Sequence, residues 1–166
     1  ECEPVSLTPN NRITLFEALV KSVVGQQLSG KAAHSILTKL KDQVGGKKPI
    51  SPEKILGTPF GEIRGAGVSE SKARTIVALA KMTKEGAIPS ARKMKGMSDE
   101  EIIEVLTSVK GIGRWTVEMI LMFKLGRQDV MPATDLGVRK GYSIIFGHRD
   151  LATPKTILEY SQKWSP

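Results

Sequence analysis

The 166-residue sequence has a single cysteine, Cys2, two histidines, His34 and His148, and only 5% aromatic residues. A lone cysteine excludes an intrachain disulfide and a four-thiolate iron–sulfur cluster within this chain. Two histidines beside it are too few for a dedicated four-ligand zinc site, so neither a metal nor another cofactor is expected. No apolar run approaches the roughly 18 to 20 residues that a bilayer crossing needs, and no membrane contact is expected. The start, "ECEPVSLTPNN", lacks the basic and apolar regions of a signal peptide. Those absences point to a reducing interior, cytosol or nucleus. Acidic residues are also scarce: 17 Asp plus Glu face 25 Lys plus Arg, a formal charge of +8. A field of that sign favours anionic partners such as nucleic acid. The chain begins without Met and stops at "SQKWSP", as a piece of a longer protein would.

What is present is helical. Apolar residues make up 40% of the chain, enough for a buried core, and they recur with a period near 3.6. "TLFEALVKSVVGQQ" offers Leu15, Leu19, Val20 and Val23, with Asn11 or Thr14 as cap. "GKAAHSILTKLKDQV" offers Ala33, Ile36, Leu37, Leu40 and Val44, with Ser29 as cap and Gly45, Gly46 and Pro49 as stop. Ser51 and Pro52 open a short helix, Ser69 a longer one that ends at Gly86, and Ser98 with Glu101 forms a capping box. Further helices fit "RWTVEMILMFKLG", "LGVRKGYSIIFG" and "PKTILEYSQKW". Nothing alternates with period two. The expectation is an all-α fold over residues 1–166, arranged as two interleaved helical subdomains with a cleft between them.

Two stretches share a pattern of apolar helix end, G-x-G turn and amphipathic helix: "IRGAGVSESKARTIVALA" and "VKGIGRWTVEMILMFKLG". Glycines two apart permit positive φ and leave backbone N–H groups open at the start of the next helix, where an anion can dock. Glu70 follows the first turn, which reads as a simple chain reversal. Around Gly111 and Gly113 stand Lys110, Arg114 and the Thr116 hydroxyl, and this second turn reads as a phosphate site.

The stretch "LTSVKGIGRWTVEMILMFKLGRQDVMPATDLGVRKGY" resembles the signature of the helix-hairpin-helix DNA glycosylases, a glycine hairpin followed by a Gly/Pro-rich loop that ends in an essential aspartate. Within that superfamily "SVVGQQLSGKAAHSI" and "GIGRWTVEM" are similar to the alkylpurine branch, whose type is the 3-methyladenine DNA glycosylase II. The match runs from about Leu15 to Phe146. Members of the branch commonly continue past the point where this sequence stops, with a further tryptophan-containing helix.

The resemblance implies roles for individual residues. Asp135 becomes the carboxylate that stabilises an oxocarbenium-like sugar and orients water, although an aspartate before "LGVRKGY" also reads as an N-cap. Thr134 stands where many members have a first acidic residue. Trp115 occupies the position of the lysine nucleophile of strand-cutting relatives, so no lyase activity is expected, and its indole face suits a cationic alkylated base. Met119, one turn on, would line the same pocket or fill core. Gln27 is the candidate wedge that enters the DNA gap, with Leu28 and Ser29 adjacent and Ser29 among the DNA contacts, while Gln26 holds the loop by hydrogen bonds. His34 is expected to be buried and hydrogen-bonded.

The function expected from the resemblance is a cofactor-free, monofunctional glycosylase that excises alkylated purines from double-stranded DNA, acting as a monomer in the nucleoid or nucleus. A non-catalytic module for damaged or abasic DNA is the alternative. A helical protein-interaction domain with an incidental basic surface stands third.

Overall fold

A computed structural model describes residues 8–10, 12–46 and 49–165; Cys2 and the candidate cap Asn11 lie outside them. Among the described residues there are helices and no strand. They are α1 (Leu15–Gly25), α2 (Gly30–Gln43), α3 (Pro52–Gly57), α4 (Phe60–Gly65), α5 (Glu70–Lys84), α6 (Ala91–Met94), α7 (Asp99–Thr107), α8 (Arg114–Ile120), α9 (Leu136–Ile145) and α10 (Pro154–Ser161). Side-chain caps open most of them. Thr14, Ser29, Ser51, Ser69, Ser98 and Thr153 each accept a backbone N–H from the first turn, and Ser98 and Glu101 form the full capping box. These bonds satisfy donors that a helix start otherwise leaves open.

Helix α1 is the centre of the larger core. The spacing predicted one apolar stripe, but Phe16, Ala18 and Val24 are buried as well as Leu15, Leu19, Val20 and Val23. Contacts with α2, α5 and α8 on three sides explain this. A helix enclosed by neighbours needs no polar face. Even Glu17 is buried, and it is paired with Lys41 of α2. Ile50, Ile55, Ile63, Ile76, Leu79, Ile102, Leu106, Val117 and Leu121 complete the cluster. A smaller cluster follows in sequence, built on Ala133, Tyr142, Ala152 and Ile157. Tyr142, Phe146, Tyr160 and Trp164 extend it as an aromatic stack, with ring centroids 4.5 Å apart for Tyr142 and Phe146 and 5.2 Å apart for Tyr160 and Trp164.

Three local expectations need correction. The helix expected over "RWTVEMILMFKLG" is α-helical only to Ile120, and Leu121–Leu125 form a π-helical turn closed by Gly126 at φ +73°. The Gly126 N–H closes the turn onto the Leu121 carbonyl, and its left-handed conformation redirects the chain so that the Arg127 N–H reaches the same carbonyl at 2.9 Å. His34 is exposed on α2 rather than buried, because the face of α2 that meets α1 is carried by Leu40, Val44 and the half-buried Ile36 and Leu37. Of the second hairpin's glycines only Gly111 has positive φ, +96°; Gly113 is extended, with φ −96° and ψ 166°, and is the N-cap of α8.

One buried group works against stability. Glu118 is buried, its Oε1 accepts from Arg114 Nε at 3.2 Å, and its Oε2 has no partner among the described residues. Burial away from water, the dominant cause, raises the carboxyl above its ordinary value of 4.5, and Arg114 only partly opposes it. A carboxyl with a raised folded pKa penalises the fold once pH exceeds the unfolded value, and the penalty vanishes below that value. Glu118→Gln is therefore expected to stabilise the protein by about 1 kcal/mol at pH 7 to 8, the scale of one orphaned buried acceptor. The gain should disappear in melts run below the ordinary carboxylate value. An unchanged or lower melting temperature at pH 7 to 8 would contradict this.

Candidate active site

Trp115 and Asp135 meet where the two clusters adjoin. Trp115 lies in the first turn of α8, and Asp135 is the N-cap of α9. The Trp115 indole Nε1–H donates to Asp135 Oδ2 at 2.8 Å, while Asp135 Oδ1 accepts from the Val138 N–H at 3.0 Å. The loop from Gly126 delivers this aspartate by fixed bonds. Arg127 anchors it to the carbonyls of Met94 and Met97 at 3.2 and 2.6 Å and to Asp99 at 3.0 Å. At its far end the Asp135 N–H closes a turn onto the Pro132 carbonyl at 2.9 Å. The Val138 N–H, and after it the Trp115 and Gly137 N–H groups, hold the Asp135 carboxyl below the ordinary aspartate range. It is an anion at neutral pH. Both readings of Asp135, cap and free carboxylate, are compatible, because Oδ2 remains on the side of the indole.

Trp115 is 37% exposed, which is incompatible with simple core filling. It separates two concavities. On one side is a largely apolar cavity of about 350 Å³ lined by Trp115, Met119, Phe123, Ser22 and Lys124, within the range of small-molecule sites. The other side is a groove of mixed polarity of about 400 Å³ between the Gln26–Gln27 turn, the start of α5 and the hairpin. Residues near the chain start wall the first cavity. Lys124 Nζ, carried by the π-helical turn, bonds the carbonyls of Asn10 and Ile13 at 2.8 and 2.5 Å, and the Asn10 N–H bonds the Phe123 carbonyl at 2.9 Å. Trp115 and Lys124 thus line one cavity, with the Lys124 ammonium committed to carbonyls.

The hairpin presents fewer free groups than its sequence suggests. The first turn of α8 has no side-chain cap, so its amides stay open to an anion. Lys110 is exposed beside it and forms no ion pair among the described residues. Arg114, however, is clamped by Glu100, with Nη1 to Oε2 at 3.1 Å and Nη2 to Oε1 at 2.5 Å, and by Glu118. Those carboxylates raise its pKa and neutralise much of its charge locally. Thr116 is buried, and its hydroxyl accepts from Gln26 Nε2 at 3.1 Å, so it faces the α1–α2 turn rather than the surface of the hairpin.

Gln26 also donates to the Gly111 carbonyl at 3.1 Å, tying the α1–α2 turn to the hairpin. Gln27 is exposed at the apex with φ +57°, the only non-glycine with positive φ among the described residues. Leu28 is 41% exposed next to it, and Ser29 is spent on capping α2, accepting from the Ala32 N–H at 3.3 Å. A contributor that sequence reasoning missed is Lys72 of α5, whose ammonium bonds the Val24 and Gln26 carbonyls at 2.9 and 2.6 Å. Nothing in "SESKARTIVALA" separates it from the other basic residues of an amphipathic helix.

Known proteins share the family and the fold of this chain. The family model described as "HhH-GPD superfamily base excision DNA repair protein" matches residues 20–166. DNA-3-methyladenine glycosylase 1 of Schizosaccharomyces pombe is 39% identical over 151 residues, covering 91% of this chain and 66% of that protein. The DNA-3-methyladenine glycosylase of Saccharomyces cerevisiae is 37% identical over 144 residues, which are 81% of this chain and 48% of that protein. The chain thus spans from about half to two thirds of the length of these relatives. The solved structure of the S. pombe 3-methyladenine DNA glycosylase in complex with abasic DNA superposes with a TM-score of 0.85 at 37% identity, over 95% of this chain and 78% of that one.

Proposed function

The chain belongs to the HhH-GPD superfamily of base excision DNA repair proteins, and from that premise we propose that it is a monofunctional DNA N-glycosylase that removes alkylated purines of the 3-methyladenine and 7-methylguanine type. The observation that carries the reading is the 2.8 Å bond between the Trp115 indole N–H and the ionised Asp135. It ties a rigid carboxylate to Trp115, which with Phe123 walls the cavity. The cavity takes the flipped base against Trp115, with Met119 beside it. As the N-glycosidic bond breaks, electrons leave with the base and positive charge builds on the sugar, where the Asp135 carboxylate stabilises it and takes a proton from the attacking water. An N-alkylated purine is already cationic and leaves readily, so no general acid is required of the site. Asp135 is the catalytic residue; Trp115 both faces the base and holds the carboxylate.

The remaining machinery binds DNA. The open amides at Gly111–Gly113 and the Lys110 ammonium hold a phosphate, Gln27 enters the duplex as the wedge, and Arg114 tunes the hairpin through its carboxylate partners. The two apolar clusters form the lobes on either side of the site. Substrate is double-stranded DNA, met by one copy of the chain, in a nucleoid or a nucleus.

Incubation with methylated duplex DNA, with released products identified by chromatography, tests this directly. Release of 3-methyladenine and 7-methylguanine is expected, leaving an abasic strand that stays uncut until alkali is added, with no borohydride-trapped complex. Imine formation needs a free amine at the sugar carbon; Trp115 offers none, and Lys124 Nζ is bound to two carbonyls. Tight binding of abasic DNA without any base release would favour the non-catalytic binder instead.

A further inference from the structure

We propose that Lys72 is the positioning residue of the DNA wedge: from α5 it clamps the end of α1 so that Gln27 is presented to the duplex in its left-handed conformation. The proposal rests on the reading of Gln27 as the wedge. The last carbonyls of a helix have no intrahelical donors, and at the end of α1 two such groups, of Val24 and Gln26, converge on one ammonium at 2.9 and 2.6 Å. A cation there also meets the negative end of the α1 dipole. Gln26 is then fixed twice, through its carbonyl by Lys72 and through its side-chain amide by the Gly111 carbonyl and the Thr116 hydroxyl, both at 3.1 Å.

The next residue along is Gln27 at φ +57°. A side-chain-bearing residue persists in that region only where its surroundings over-determine it. The turn's own backbone bonds are long, 3.4 Å from Gln26 N to Val23 O and 3.2 Å from Leu28 N to Gly25 O. They do not over-determine it; the charge-assisted pair from Lys72 does. Burial lowers the Lys72 pKa, as expected for an ammonium directed inward at carbonyls. Lys72 therefore links α5 to the wedge, and Gln26 links the wedge to the Gly111–Gly113 hairpin, so the two DNA-facing elements are held as one body against α5.

A wedge offsets the expense of unstacking a base, which is large in a paired duplex and small where the base is already unpaired. Single-turnover base release by Lys72→Met is accordingly expected to fall about tenfold on a methylated paired duplex, the equivalent of one lost charge-assisted hydrogen bond, and to change little on the same lesion in a single strand. The ratio of the two rates is independent of the fraction of protein folded. Lys72→Arg, which keeps donors at that position, should restore most of the duplex rate. Gln27→Ala should reproduce the duplex-specific loss, and the double variant should be no slower than the slower single one. The slope of log Kd against log salt should be unchanged, because Lys72 contacts no phosphate. Equal slowing on both substrates, additive effects with Gln27→Ala, or a slope reduced by about one phosphate contact would each overturn the proposal. A Gln27→Ala variant with full duplex activity would instead overturn the wedge assignment, and absence of base release by the wild type would overturn the glycosylase reading itself.

Discussion

Asp135→Asn is expected to slow base release about a hundred-fold or more while leaving affinity for abasic DNA within a few-fold of wild type, since a preorganised charge acts mainly on the transition state. The substitution is chosen because asparagine caps a helix about as well as aspartate. The start of α9 therefore survives, and the loss can be assigned to charge. An amide has one acceptor oxygen, however, and Asp135 serves two donors on separate oxygens, Val138 N–H and Trp115 Nε1–H. If the amide oxygen keeps the cap, its NH2 faces the indole N–H, and two donors repel; Trp115 then turns and part of the effect travels through the base-stacking face. Trp115→Phe measured beside it separates the two contributions, because phenylalanine keeps a stacking face and drops the N–H. The pH–rate profile is a second check. The bonds that lower the Asp135 pKa keep it ionised below the ordinary aspartate value of 3.8. Activity and the cap it supports should persist above the folded pKa and be lost as pH falls through it. Wild-type turnover by Asp135→Asn would remove Asp135 from the chemistry.

Gly113→Leu is expected to weaken binding to every DNA sequence alike, by about tenfold or more, and to leave the melting temperature nearly unchanged. A Cβ added at Gly113 meets nothing within 4 Å, and its φ of −96° is open to any residue. The fold has no need of glycine there. On the proposed function, what needs it is the close approach of a phosphate to the uncapped amides of α8, and phosphate contacts carry no sequence information. Gly111 is the contrasting control. Its φ is +96°, and a Cβ there would overlap the Thr75 hydroxyl, which itself donates to the Lys110 carbonyl at 2.9 Å. Gly111→Ala should lower stability before any DNA is added. Melting curves and fluorescence-anisotropy titrations on two unrelated duplexes distinguish the pair. Sequence-dependent loss at Gly113, or unfolding there, would contradict the assignment of open backbone to phosphate.

The caps and the apolar period were legible in the sequence because both are short-range. Ser98 with Glu101, Ser69 and Thr14 act within three residues, and their bonds form as the pattern requires. Asp135 and Trp115 could be singled out, but their hydrogen bond spans 20 positions and depends on how the two clusters meet. Long-range polar bonds redirected other residues. Arg114 beside the hairpin reads as a phosphate ligand until Glu100, 14 residues earlier, is found to hold it. Thr116 reads likewise until Gln26, 90 residues earlier, takes its hydroxyl. Lys72 was invisible for the same reason, since its partners are backbone carbonyls, which have no sequence signature. Helix α6, only four residues long, escaped because one turn has no measurable period.

The π-helical turn at Leu121–Leu125 bears on how such sites change by insertion and deletion. One residue more per turn than an α-helix needs is equivalent to a single inserted residue absorbed without lengthening the structure. Removing one residue between Leu121 and Leu125 would let α8 continue in regular register and rotate Phe123 and Lys124 by about 100° about the axis. Both would leave the cavity wall, and the Asn10 and Ile13 carbonyls would lose their cation, while Trp115 and Met119, upstream of the deletion, would keep their places. The number of residues separating Trp115 from Asp135 can therefore fall by one with the place of Trp115 on α8 unchanged. An alignment scored on fixed spacing would misplace the aspartate; one allowed a gap between Ile120 and Gly126 would not.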